Sequence, residues 1–358
     1  MKILLLLCVI STTLSCASQS NPGAKQSNGI AHTIGKAAET LPDRVWKVFQ
    51  DSKGTYWFGS NGQGVFTYDG EALVQLTTED GLVDNTIRGF QEDIAGDVFI
   101  ETPSGISKYD GKSLTTLEVV RSPENQWTLS PDDLWFGYNA NQVRRYDGKT
   151  LFELKLPEQD IKAALGIDAN TLLNQQASPY SIFGINKDKA GNVWFGTMLA
   201  GAFRFDGSSF LWVGEPELTI RSDGSVPGVR VMLEDADGNM WLSNGLNKYN
   251  IKAGQNSDYT KLPGLTTSWP TSSDSVAYFN AGMVDTAGHL WMIEYGGSIW
   301  KYDGKTLVRF PVSDGNMEVL TISIYQDRQG EIWLGTDNDG VYRFDGTTFK
   351  KFKPALNR

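Results

Sequence analysis

The sequence predicts an all-β fold, a seven-bladed β-propeller of four-stranded antiparallel blades, and three observations carry that expectation. One pattern of turn, aromatic strand, turn and Tyr/Phe-Asp-Gly turn recurs seven times and fills residues 41–353. The aromatic at its centre falls at Trp57, Phe99, Trp135, Trp194, Trp241, Trp291 and Trp333, spaced by 42, 36, 59, 47, 50 and 42 residues. Four short strands in about 40 to 50 residues make a propeller blade, and a repeat of this kind cannot bury its apolar face alone. Composition agrees: 11 Trp and 38 Gly supply blade packing and tight turns, and a chain of 358 residues, 40% hydrophobic and 21% charged, can bury a large core.

The last copy shows the unit most clearly. Asp327 to Gly330 has turn chemistry, Ile332-Trp333-Leu334 is β-prone, Asp337 to Gly340 turns again, Val341 to Phe344 alternates, and Asp345-Gly346 makes a third turn. Runs at Leu320 to Tyr325 and Thr348 to Phe352 supply the first and fourth strands. The third copy keeps Trp135-Phe136-Gly137 and Tyr146-Asp147-Gly148 but loses the turn glycine around Ser130 to Asp133. Long connections precede blades 4, 5 and 6, at residues 157–178, 214–227 and 263–275. Insertions in such repeats fall on one face, often the binding face.

Residues 1–15 read as a signal peptide, with a charged start at Lys2 and an apolar run too short to span a membrane. Thr13-Leu14-Ser15-Cys16 resembles a bacterial lipobox, so Cys16 is expected to be lipidated. Cys8, the only other cysteine, leaves with the signal, and no internal disulfide is expected. Residues 16–40, rich in Ser, Gln, Asn, Gly and Ala, read as a flexible tether with a reach of roughly 25 to 30 Å. Ala17 stands where Asp would signal inner-membrane retention, which makes the outer membrane of the bacterial envelope the expected location. A formal charge of -10 argues against a nucleic-acid partner but not against an anionic ligand, because local arginines override a global sign.

The positions where copies disagree carry the functional expectation. Counting five residues back from each turn aspartate gives Trp46, Arg88, Trp127, Phe183, Arg230, Asn280 and Ile322. Inner-strand starts surround the mouth of a propeller's central channel, so this column is expected to form a ring there. Aromatics with arginines suit sugar rings and carboxylate or sulfate groups; the alternative is that the column only fills the channel. Tyr180, Trp212 and Trp269, with Tyr278 and Tyr295, lie in or beside the insertions and form a second set of candidate ligand-binding residues.

Other patterns carry less. Asp235 to Asn239 and Asp337 to Gly340 look like calcium-loop fragments, but neither has the closing Glu, so no metal is expected, and no cofactor is implied. The Asp-x-x-Gly-x-x-Trp turn resembles the sialidase Asp-box with one residue too many between Asp and Gly. Of the two histidines, His32 lies in the tether and His289 follows a turn glycine on the face opposite the insertions. A streptogramin-lyase-like propeller, which uses histidine as base, would have to use His289 alone. The 42 Asp and Glu show no paired spacing, so no catalytic residue is assigned.

The motif Asp-x-x-Gly-Asn-x-Trp-Phe-Gly-Thr, a Gly and Tyr-Asp-Gly, with Glu79-Asp80-Gly81-Leu82-Val83-Asp84-Asn85 between the first two copies, resembles the two-component regulator propeller repeat. The resemblance covers nearly all of the repeat region. It implies a periplasmic sensor of hybrid two-component systems, often for polysaccharide fragments. Those sensors carry a second propeller, a spanning segment, a kinase and a receiver that this sequence does not show, so sensing is expected to reduce to binding. The leading expectation is an envelope-anchored, non-catalytic propeller that binds glycans or anionic oligosaccharides. A protein-interaction scaffold in envelope assembly or secretion is the alternative, and a polysaccharide lyase or hydrolase the third.

Overall fold

A computed structural model describes residues 34–356, apart from 123, 138–141, 170–177, 222–223, 253–257, 266–277, 295–296 and 313–318. The repeat folds as the sequence predicts because one aspartate organises each copy. Asp51 accepts the Lys53 and Thr55 N–H groups through Oδ1, at 3.0 and 2.9 Å, and the Trp57 indole N–H through Oδ2, at 2.9 Å. The same carboxylate therefore fixes the turn and the rotamer of the blade's packing residue. The Asp-to-Trp bond recurs at Asp188–Trp194, Asp235–Trp241, Asp285–Trp291 and Asp327–Trp333. Phe99 has no N–H to offer; the Lys108 ammonium sits 5.5 Å from its ring, as Lys248 and Lys301 sit 5.8 and 5.2 Å from Trp241 and Trp291. At the other turns, carboxylates such as Asp69 and Asp345 accept two successive backbone N–H groups, while the glycine that follows adopts a positive φ of 102° or 92°.

Among the described residues the strands form five separate four-stranded sheets and one nine-stranded sheet, which together make seven blades. The nine-stranded sheet joins blade 1 (Val45–Gln50, Tyr56–Ser60, Val65–Tyr68, Leu73–Leu76) to blade 7 (Thr321–Gln326, Ile332–Thr336, Val341–Phe344, Phe349–Lys351) through a single pairing, Val45 with Thr336. Its ninth strand, Lys36–Ala37, lies antiparallel to the outer strand of blade 1. Every blade is continuous in sequence, so the seam between first and last is closed by that pairing, by the Gly340 N–H to Asp43 carbonyl bond at 2.6 Å, by side chains and by the C-terminal segment. Trp333 meets Tyr56 and Phe352, both at 4.9 Å between ring centroids. The Tyr68 hydroxyl donates to the Ala355 carbonyl at 2.8 Å, and the Tyr56 hydroxyl to Asp327 at 2.7 Å.

Inner strands share one irregularity. Pairing with the second strand slips by a residue between Val45 and Lys47, Ile182 and Gly184, Phe279 and Ala281, and Thr321 and Ser323. The extra residues are Trp46, Phe183, Asn280 and Ile322. A bulge leaves its residue outside the ladder and re-aims its side chain. Four members of the predicted column are thus bulge residues at the start of inner strands.

Blade 3 departs from the rest. Its sheet contains Leu134–Gly137, Gln142–Tyr146 and Leu151–Lys155, and the strand that precedes them, Val119–Arg121, pairs parallel with the outer one. Among the described residues, no strand occupies the inner position. Residues 122–133 are mostly polar, lack alternation and carry Pro123 and Pro131, a composition that makes no inner strand. Side chains of the flanking blades satisfy the bare edge instead. Gln91 donates to the Trp135 carbonyl at 2.7 Å and accepts its N–H at 3.4 Å, Glu101 accepts the Gly137 N–H at 3.1 Å, and Lys187 donates to the Asp133 carbonyl at 2.8 Å. Buried backbone groups need partners, and here they find them without a strand.

Candidate functional site at the channel mouth

Each inner strand runs from its ring residue to its turn aspartate, so the ring and the Asp turns lie at opposite ends of the blades. The ring end also carries the loops between second and third strands, as the Asn61 N–H to Arg44 carbonyl and Asp337 N–H to Leu320 carbonyl bonds show. Phe183 and Arg230 come together there. The Arg230 guanidinium lies 4.2 Å from the Phe183 ring centroid and donates through Nε to the Pro227 carbonyl at 2.9 Å. That leaves its Nη groups without a protein acceptor among the described residues. Arg88 is exposed, and its side chain likewise has no hydrogen-bonded partner there. Asn280 is bonded by its bulge into the same rim, and its Oδ1 is buried without a donor.

Two residues outside the predicted column complete the site. Lys47 and Glu101 project into the channel, closed in by protein yet in reach of solvent. Burial lowers the proton affinity of Lys47; Glu101 opposes that effect, and Arg230 and Arg88 add to it. Burial pushes the Glu101 carboxyl up to about 7, against the pull of Lys47, the Gly137 N–H, Arg88 and Arg144. Both positions were legible as exceptions. Where Lys47 stands the other copies have Gly89, Gly184, Val231, Ala281 and Ser323, and where Glu101 stands four have glycine.

Below Arg230 the channel opens into a cavity of about 430 Å³ between the inner strands of blades 4, 5 and 6, running past Met232 and Gly282 to Lys187 and Glu234. The site is therefore a cationic rim with an aromatic platform above a mixed polar and apolar cavity. It contrasts with the rest of this acidic chain, where Arg145, Arg204, Lys248 and Lys351 are each spent on a neighbouring aspartate.

Several predicted residues belong elsewhere. Trp127 does not line the channel, because blade 3 has no inner strand; it stacks on Trp135 at 5.7 Å and packs against Phe195, Phe205 and Phe210 of blade 4. Trp46 is at the mouth, but its indole donates to Asp337 at 2.6 Å and it helps to close the seam. The loop aromatics fold inward. Tyr180 is buried and bonded to the Gln159 backbone, Trp212 donates to the Ala200 carbonyl at 2.6 Å, and Tyr278 is buried with its hydroxyl on the Glu217 and Ile220 carbonyls. Tyr180 and Tyr278 spend their polar ends on holding an insertion to the blades, and half-buried Trp212 spends its own on a loop of its own blade. Cys16, Trp269 and Tyr295 lie outside the described residues. His289 is hydrogen-bonded to Asp285 at 2.9 Å, at the end away from the ring.

The fold and its rim define a class, a seven-bladed β-propeller with a ligand-sized cavity on its axis. The repeat is of a recognised kind: the family model for the two component regulator propeller matches residues 313–338. No curated protein sequence matches the chain. Among solved structures, the extracellular domain of a hybrid two component system from B. thetaiotaomicron is similar over 87% of this chain and 39% of its own, at 20% identity and a TM-score of 0.54. The chain thus spans about two fifths of that ectodomain. A streptogramin B lyase superposes with a TM-score of 0.59 at 13% identity, covering 87% of this chain and 95% of the lyase. YCF48 from Cyanidioschyzon merolae gives 0.54 at 15%, covering 86% and 99%. At these identities the likeness is one of fold.

Proposed function

We propose that this protein is a non-catalytic binding propeller of the bacterial envelope, held there by lipid on Cys16, whose channel mouth takes an anionic oligosaccharide. One observation carries the reading: Lys47, Arg88 and Arg230 converge on the channel without paired carboxylates in hydrogen-bond reach, in a chain of formal charge -10. Cations left unpaired in an acidic protein are available to a ligand, and arginine's planar fork suits a carboxylate. Phe183, already stacked by Arg230, offers an apolar face beside them. The sensor ectodomains that share the fold and the repeat match support an extracellular binding role.

The test is glycan-array binding by wild type and the Arg88→Ala/Arg230→Ala double variant, followed by calorimetry with tri-galacturonate. Wild type should select acidic oligosaccharides, and the double variant should lose at least about tenfold in affinity. Undiminished binding by the double variant would place the site elsewhere.

A further inference from the structure

The residue two places after the central aromatic faces the inner strand of the next blade. A Cβ added at Gly59 would stand 2.5 Å from Ile87, at Gly196 2.1 Å from the Val229 carbonyl, and at Gly335 2.7 Å from the Val45 carbonyl. The position is glycine in four copies and serine in blade 5; Ile293 fills it in blade 6, against blade 7, and Glu101 fills it in blade 2, against a blade with no inner strand among the described residues. Its Oε1 is fixed by the Gly137 N–H at 3.1 Å. Its Oε2 lies over Gly89, where an added Cβ would come within 3.0 Å. The charged groups around it come from four blades: Lys47 from blade 1, Arg88 from blade 2 and Arg144 from blade 3, with Arg230 of blade 5 acting on Lys47. Blades 4, 6 and 7 contribute Phe183, Asn280 and Ile322, which do not titrate.

We propose that Glu101 and Lys47 form a proton-linked carboxylate subsite in the channel beside the strandless edge of blade 3, where a ligand carboxylate seats against Lys47, Arg88 and Arg230 and shares a proton with Glu101. This rests on the anionic-oligosaccharide reading and narrows it to sugars bearing carboxylates, such as uronic acids. Two carboxylates in one enclosed site do not both ionise, so the second raises the proton affinity of the first. Glu101 is already held near neutrality by burial. Below pH 7 it is neutral and Arg88 and Arg230 face the incoming anion unopposed; above pH 7 its charge cancels part of that attraction. Affinity therefore falls as pH rises through neutrality, and binding takes up a proton.

The experiment is calorimetry of tri-galacturonate at pH 6 and pH 8, in buffers of differing ionisation enthalpy, with inorganic sulfate as a sugar-free probe. Wild type is expected to bind tri-galacturonate about fivefold more weakly at pH 8 than at pH 6, the change that a one-unit pKa rise on binding produces across that interval, with net proton uptake. Glu101→Gln keeps an acceptor for the Gly137 N–H and should bind at pH 8 as wild type does at pH 6, without proton uptake. A Glu101→Gln protein with the wild-type pH profile overturns the subsite, and the wider reading survives if the double arginine variant still loses binding. If tri-galacturonate does not bind but sulfate binds with a Glu101-dependent pH profile, the glycan reading falls and the subsite stands. Failure of both probes overturns both.

Discussion

Blade 7 and blade 3 share the same hairpin of second and third strands and differ in what lies inside it. In blade 7 the inner strand Thr321–Gln326 pairs along Ile332–Thr336, and the seam to the next blade is backbone against backbone. In blade 3 that strand is missing, and the exposed ladder is satisfied by Gln91, Glu101 and Lys187 from its neighbours. At the regular seams the matching position is glycine, serine or the apolar Ile293, none of which carries a charge. The defective one admits a carboxylate to the channel, so the position where the repeat fails is the position where the site is built.

The largest effect that sharpens this contrast is at the regular seam. A methyl group on Gly335 would meet the Val45 carbonyl and the Ser323 hydroxyl at 2.7 Å each, and the Trp46 carbonyl carbon at 3.0 Å. Two of these are backbone atoms that cannot swing away. Gly335→Ala should lose about 3 kcal/mol by urea denaturation, since overpacking here forces the two blades apart. Glu101→Gln, at the equivalent place beside blade 3, should unfold within about 0.5 kcal/mol of wild type. Equal losses in the two variants would mean that the missing strand does not relieve the seam.

A smaller loss is expected from the side chain that stands in for the strand. Gln91→Ala removes both the donor on the Trp135 carbonyl and the acceptor of its N–H. Leaving buried backbone groups unsatisfied should lower stability by about 1–3 kcal/mol in equilibrium unfolding. Hydrogen exchange should show the Trp135 amide losing protection before those of blade 7. An unaltered exchange rate would mean that water already serves that edge.

The architecture was legible because its causes are local. Asp51 and its counterparts fix a turn and a Trp rotamer within seven residues, so a pattern in sequence is already a geometry. The bulge column was legible for the same reason, since Trp46, Phe183, Asn280 and Ile322 stand at a constant distance from those turns. Trp127 was misread because its count assumed an inner strand in blade 3, and whether a segment pairs inside or outside a blade depends on neighbours distant in sequence. The loop aromatics failed in the same way: whether Tyr180 or Tyr278 points outward is decided by carbonyls such as Gln159 and Glu217 that no local pattern announces. Lys47 and Glu101 were visible as departures from small residues, but their meaning required knowing that blade 3 leaves a gap beside them.

The smallest prediction concerns what blade 3 kept. Its Tyr-Asp-Gly turn is built as in the regular blades: Asp147 accepts the Lys149 and Thr150 N–H groups at 3.0 and 2.7 Å, as Asp206 of blade 4 accepts those of Ser208 and Ser209 at 2.8 and 2.7 Å. Burial pushes the Asp206 carboxyl up, but these N–H groups and both serine hydroxyls outweigh it and hold it down at about 2; Asp147 is shifted in the same direction. A carboxylate whose folded pKa lies below its unfolded value stabilises the fold above the unfolded value, near 3.8, and loses that contribution as pH falls through the folded one. Asp206→Ala and Asp147→Ala should each cost about 0.5–1 kcal/mol at pH 6, the lower end reflecting solvent screening at these exposed turns. For Asp206 the difference from wild type should shrink between pH 4 and about pH 2. Equal costs in the two blades would show that the hairpin is an independent unit, stable with or without an inner strand beside it. A much smaller cost at Asp147 would mean that the missing strand loosens the whole blade, and that the gap at Glu101 is bought with disorder in the hairpin that frames it.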